Sequence, residues 1–146
     1  MDAADIASLS RVAIEYGLPW GWTPRRVREA IADASTNVAV LRRQSALLAF
    51  GIMAYEDDVA HLLLLAVHST RRRTGLGGAL LVWLERVAGV AGIVEIRVEA
   101  RADNTPARAF YRQHGYQELA TVTGMYHGVA DGVRLLKRLP AAPTSA

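Results

Sequence analysis

The sequence predicts a mixed α/β fold, a single layer of sheet with helices on both faces, and three observations predict it. The apolar period switches between helical and strand spacing in the order ααβββαβαββ. One segment, VAHLLLLAVHS, is apolar on both sides, as a covered central strand must be. That strand then runs through HSTRRRTGLGGALL, a glycine-rich turn, directly into a helix.

Ile6, Leu9, Val12, Ala13 and Tyr16 recur at helical spacing and place a first helix over Ala3 to Tyr16. GLPWGWTP breaks it. Thr23 as N-cap and Pro24 at the first helical position open a second helix, with Val27, Ala30 and Ile31 on one face, ending at Ala34. From NVAVLRR the period becomes two; QS turns the chain into ALLAFGIMAY as a hairpin, and EDD turns it again into the central strand. Leu76, Leu80, Trp83, Leu84 and Val87 mark the third helix, with Trp83 expected in the core. In GIVEIRVEA, Val94, Ile96 and Val98 point one way and Glu95, Arg97 and Glu99 the other. Asn104, Thr105 and Pro106 start a fourth helix carrying Phe110 and Tyr111, which Gly115 ends. YQELATVTGMY and GVRLLKRL supply two closing strands.

The 146 residues suit one domain over 1–139, followed by a disordered tail over 140–146. Hydrophobic residues make up 51% and charged residues 21%, as in a soluble globular protein. Apolar runs such as Leu62 to Val67 are too short to span a bilayer, and no membrane partner is expected. Asp2 and Asp5 stand where a secretion signal would be basic, so a cytoplasmic location is expected. With no cysteine there is no thiol nucleophile and no thiolate metal site. His61, His68, His114 and His127 lack metal-ligand spacing, and no metal is expected. The net charge of +3, carried by 16 arginines and one lysine, favours a local anionic ligand over nucleic acid. No RNA-stacking motif supports a ribosome-associated module. Oligomeric state is open, a homodimer included.

A strand, a glycine-rich turn and a helix N-terminus together form an anion site, because backbone N–H groups and the helix dipole converge on one spot. Two phosphate motifs do not fit it. A P-loop needs Gly-Lys-Ser/Thr, but Gly77 precedes Gly78 and Ala79; in G-x-G-x-x-G the third glycine's place is taken by Leu80. What is present is Arg72-x-x-Gly75-x-Gly77, followed downstream by Asn104-x-x-Ala107-x-x-Phe110-Tyr111-x-x-x-Gly115-Tyr116.

These two motifs, in this order and separated by one helix and one strand, resemble those of the GNAT superfamily of acyl-CoA-dependent N-acetyltransferases. The resemblance covers roughly Ala46 to Leu139 and implies the GNAT fold, a mostly antiparallel sheet, here without its usual first strand. It implies acetyl-CoA as co-substrate. Arg72, Arg73, Gly75, Gly77 and Gly78 would hold the pyrophosphate, and the backbone of Ala66, Val67 and Ser69 the pantetheine, with Asn104 beside them. Within the superfamily the chain is similar to the ribosomal-protein-alanine N-acetyltransferases through VEARADN, Tyr111 and Pro19-Trp20. That likeness sets Glu99 on their general base and Tyr111 on their general acid, with His61 and Glu95 as alternative bases. The chain departs from them with Tyr126-His127 in place of paired tyrosines, and with ADGVRLLKRL lacking an acidic pair.

The chemistry agrees with such roles. An amine with a pKa of ~8 to ~10.4 is mostly protonated at neutral pH, so a carboxylate that removes its proton is useful. A tyrosine can return a proton to the departing thiolate. Asn104 also suits a helix cap, Glu99 a surface pair with Arg97 or Arg101, and Trp20 and Trp22 either an acceptor pocket or helix packing. Protein N-termini, lysine, polyamines, antibiotics and other small amines are all open as acceptors. The rival reading is a non-catalytic acyl-CoA-binding module or sensor.

Overall fold

The computed structural model describes residues 2–68 and 75–140; the expected tail, Pro140 apart, lies outside the described residues. Its elements are α1 (Asp2–Ala13), α2 (Pro24–Ala32), β1 (Thr36–Arg43), β2 (Ala46–Glu56), β3 (Val59–Val67), α3 (Leu76–Val90), β4 (Glu95–Arg101), α4 (Thr105–Gln113), β5 (Gln117–Tyr126) and β6 (Ala130–Arg138). The order is the one the periodicity predicts, and among the described residues no strand precedes α1.

Helix α1 stops three residues short of Tyr16. The Ser10 carbonyl accepts from both Ile14 and Glu15 N–H, and Glu15 then turns inward. Its buried carboxylate accepts from Ser10 Oγ at 2.8 Å, Gly21 N–H at 2.7 Å and Trp22 N–H at 3.1 Å. A carboxylate with three donors fixes the α1–α2 loop more firmly than another half-turn of helix would. Thr23 caps α2 as expected, its Oγ1 accepting from Arg26 N–H, with Pro24 in the first turn.

The strands form one sheet in the order β1-β2-β3-β4-β6-β5, antiparallel except for the parallel β3–β4 pair joined through α3. Two cores lie on its two faces. Ile6, Ala7, Val27, Phe50, Ile52, Leu64 and Ala66 pack under α1 and α2. Met53, Leu62, Leu81, Leu84, Ile96, Val98 and Leu135 pack under α3 and α4. Strand β3 contributes to both because of a bulge: Ile52 pairs with Leu64 but Met53 with Leu62, leaving Leu63 unmatched. One extra residue reverses the alternation, so Ala60 and Leu62 enter the α3 core while Leu64 and Ala66 enter the α1 core.

Two tryptophan expectations resolve here. Trp83 is 47% exposed, not core. The buried face of α3 is Leu80, Leu81, Leu84 and Ala88, and Trp83 stands about 115° round the helix from their mean direction. Trp20 and Trp22 pack against the α1 core, Trp20 donating its Nε1–H to the Ala7 carbonyl and Arg26 lying over the Trp22 ring.

Helix α3 crosses β2 closely at Gly51, where a Cβ would stand 2.7 Å from Cδ1 of the fully buried Leu84. Gly51→Val should therefore force the helix off the sheet. The expected loss is about 1–3 kcal/mol, the usual cost of overpacking, read as a lowered urea midpoint with an unchanged slope. A midpoint equal to that of the wild type would show that α3 does not pack on β2 this tightly.

Candidate active site

The parallel pair β3–β4 is in register only from Val59↔Glu95 to Leu62↔Val98. Beyond that point each strand keeps its outer partner, β3 with β2 through Val67↔Ala49 and β4 with β6 through Arg101↔Gly132, and the two part from each other. A cavity of about 950 Å³ occupies the fork. One wall is the first turn of α3 with α4; the other is the end of α1 and its loop, through Val12, Ala13, Ile14 and Tyr16. A smaller cavity of about 390 Å³ beside α1, touching Asp5 and His68, contains none of the expected catalytic or cofactor-binding residues.

At the α3 wall, Gly75 is the N-cap in the left-handed region (φ 82°) and provides no side-chain cap. The N–H groups of Leu76, Gly77 and Gly78 precede the first helical acceptor, so helix geometry leaves them open. Gly77 and Gly78 also serve packing. A Cβ on Gly77 would stand 3.3 Å from Val67 Cγ2, and one on Gly78 would stand 3.0 Å from His114 Nε2. Their missing side chains thus face β3 and α4, not the open side of the turn. The expected contributors Ser69, Arg72 and Arg73 lie outside the described residues.

Register separates the expected β3 contributors. His68 N–H bonds the Leu48 carbonyl, so by alternation Ala66 directs its N–H and C=O into the ladder with Phe50. Leu65 and Val67 direct theirs toward the fork. Asn104 caps α4, its Oδ1 accepting from Ala107 N–H at 3.1 Å, while also lining the cavity.

Tyr111 and Glu99 both line the cavity, as does Tyr126, which the sequence showed only as half of a missing tyrosine pair. Tyr111 is buried, with ring-edge contacts to Phe110 and Tyr116. Burial, and then the neighbouring Tyr126, push its hydroxyl well above the ordinary phenol range. Tyr126 is pushed up to about 12, by burial first and then by Glu99, with Arg101 opposing. Glu99 pairs with neither expected arginine. Its Oε1 is 3.1 Å from His61 Nε2 and its Oε2 is 3.8 Å from Nε of Arg134, its register partner on β6. Arg101 is engaged by Asp103, by the Tyr16 ring and by the Tyr16 carbonyl at 2.5 Å. Glu95 is bound to Arg97 at 2.7 Å, at the opposite end of β4 from the fork. Arg134 escaped sequence reasoning because only strand register brings it to Glu99. Among the described residues no group of three or more His, Asp or Glu could hold a metal.

The family model of the acetyltransferase (GNAT) family matches residues 7–116. The [ribosomal protein bS18]-alanine N-acetyltransferase of Salmonella typhimurium is 37% identical over 84 residues, 58% of this chain and 56% of that protein. An uncharacterized N-acetyltransferase of Methanocaldococcus jannaschii is 34% identical over 83 residues, 56% of this chain and 53% of that one. The chain spans about half the length of both relatives. The crystal structure of the Escherichia coli ribosomal-protein-S18-alanine N-acetyltransferase superposes with a TM-score of 0.82 at 24% identity, covering 99% of this chain and 92% of that one. The mixed α/β fold and its layering are therefore those of GNAT proteins.

Buried Tyr111 and half-buried Tyr126 have a consequence for stability. Tyr126 holds its proton more tightly when folded than at the unfolded value of ~10. Its contribution is fully present below about pH 10 and is lost as pH rises toward about 12. Tyr111 acts in the same direction. The urea midpoint should fall over this window, and fall less in Tyr126→Phe. An equal fall in both proteins would contradict the assignment.

Proposed function

The chain belongs to the GNAT acetyltransferase family, and on that premise we propose that it transfers the acetyl group of acetyl-CoA directly to a primary amine, either a protein N-terminus or a small-molecule amine. The observation that carries this reading is the fork: two parallel strands part over a cavity with open helix N–H groups at one wall and a carboxylate and two tyrosines in its lining. Gly75, Gly77 and Gly78, with the expected Ser69, Arg72 and Arg73, would hold the pyrophosphate and upper pantetheine. The unladdered backbone of Val67 suits pantetheine and a developing oxyanion. Acetyl-CoA supplies an activated thioester.

An ammonium loses two protons on its way to an amide; one ends on the CoA sulfur and the other in solvent. Glu99 takes the proton from the incoming amine, directly or through water. Tyr111 gives its hydroxyl proton to the departing sulfur and is restored from water. Burial keeps Tyr111 in the protonated form that a donor needs. The same dry surroundings disfavour a bare thiolate, so sulfur protonation is favoured there too. Among the described residues no helix is long and apolar enough to cross a membrane.

The deciding experiment follows free thiol release from acetyl-CoA with peptides bearing free N-termini, lysine side chains, polyamines and aminoglycosides. Turnover with at least one amine is expected. Tight acetyl-CoA binding without thiol release from any of them would favour the non-catalytic binding module instead.

Two variants test the assigned roles. Tyr111→Phe should lower kcat by roughly 10- to 1000-fold with little change in acetyl-CoA affinity; near-normal turnover under chemistry-limited conditions would remove the acid role. Glu99→Gln should lower kcat/KM at neutral pH, with a deficit that shrinks at high pH, where the amine deprotonates unaided. A wild-type-to-variant ratio near one at every pH would move the base to another group.

A further inference from the structure

We propose that His61 is a positioning residue that holds the Glu99 carboxylate toward the cleft; this rests on the acetyltransferase reading above. In register His61 stands opposite Arg97, so Glu99 is its diagonal neighbour, two residues further along β4 on the same face. Its Nε2 nevertheless reaches Glu99 Oε1 at 3.1 Å. The backbone ladder ends at Leu62↔Val98, and this side-chain pair spans the two strands at the root of the fork. The contact is an ion pair when the ring is protonated, with Nε2 presented to the carboxylate.

The charged groups around this pair make its direction matter. Arg97 on β4 is bound to Glu95, and on β2 the residue opposite His61 is Ala54. On the other flank Arg134 of β6 faces Glu99 Oε2 at 3.8 Å, just beyond hydrogen-bonding distance. Glu99 is therefore held between a neighbour on β3 and a cation on β6, and the β3 contact is the closer. Without His61 the ion-pair partner left to Glu99 among the described residues is the Arg134 guanidinium. The carboxylate then turns toward β6 into a charge-assisted bond that takes it away from the amine.

The test is a double-mutant cycle on thiol release with an accepted amine, using His61→Ala, His61→Gln, Glu99→Gln and the combinations, with acetyl-CoA affinity measured separately by calorimetry. His61→Ala should lower kcat roughly 10-fold, less than loss of a general base itself, and leave acetyl-CoA affinity unchanged. His61→Gln, whose amide can still donate to Glu99, should recover most of that loss. In the Glu99→Gln background His61→Ala should cost nothing further, because its effect passes through the carboxylate. Full loss persisting in that background, no loss in the single variant, or no recovery with Gln would each overturn the proposal. A wild-type protein that neither binds acetyl-CoA nor releases thiol would overturn the acetyltransferase reading first, and this inference with it.

Discussion

The constraint on which the rest of the site depends is the short pairing of β3 with β4. Two parallel strands joined by a crossover helix would ordinarily continue side by side, but here they share register only to Leu62 and Val98. At the end of β3, α3 begins so close that a Cβ on Gly77 would stand 3.3 Å from Val67 Cγ2, and the bulge at Leu63 adds twist just before it. Beyond the fork β4 stays with β6 instead. The result is a sheet opened from one edge of its centre, where the backbone of Leu65 and Val67 has no strand partner on the β4 side among the described residues. Backbone groups in that position need water or a ligand, and the cavity provides room for either.

The bulge has a second effect. By reversing the alternation within β3, it lets a single central strand seal both cores, Leu62 against α3 and Leu64 against α1. Leu63, the unmatched residue, is left partly exposed and lines the cleft. A continuous apolar run was needed for this, since either face of β3 is buried at some point along its length.

Polar contacts fix the two walls relative to the sheet. Glu15 gathers the α1–α2 loop, and Arg101 fastens the start of that loop to β4 through Tyr16. Behind Tyr111, Glu85 accepts from the Tyr116 hydroxyl at 2.8 Å and from Lys137, the only lysine in the chain, at 2.9 Å. Tyr116 in turn supports the Tyr111 ring. The Glu15 and Glu85 contacts are part-buried, so they hold their geometry better than exposed ion pairs of equal length would, whereas the Arg101–Tyr16 contact is exposed. The two walls of the cleft are thus braced from opposite faces of one sheet.

The sequence by itself determined what depends on neighbours along the chain. Helical and strand periods set the ten described elements, Thr23 and Asn104 set helix starts, Gly115 set a helix end, and the arginine-glycine and Asn104-to-Tyr116 motifs carried the family resemblance. Tertiary structure decided what depends on neighbours far apart. Trp83 carries an apolar side chain at helical spacing, but the direction of α3 over β2 turned it outward. Tyr16 fits the first helix by period, but the buried Glu15 and the pull of Arg101 took it into the loop. Glu99 had two arginines close in sequence, yet Arg97 and Arg101 found other carboxylates and the fork brought it His61 and Arg134. Local periodicity specifies which face a residue occupies; only strand register and helix crossing specify which charge stands opposite it, because those are set by the packing of the whole chain.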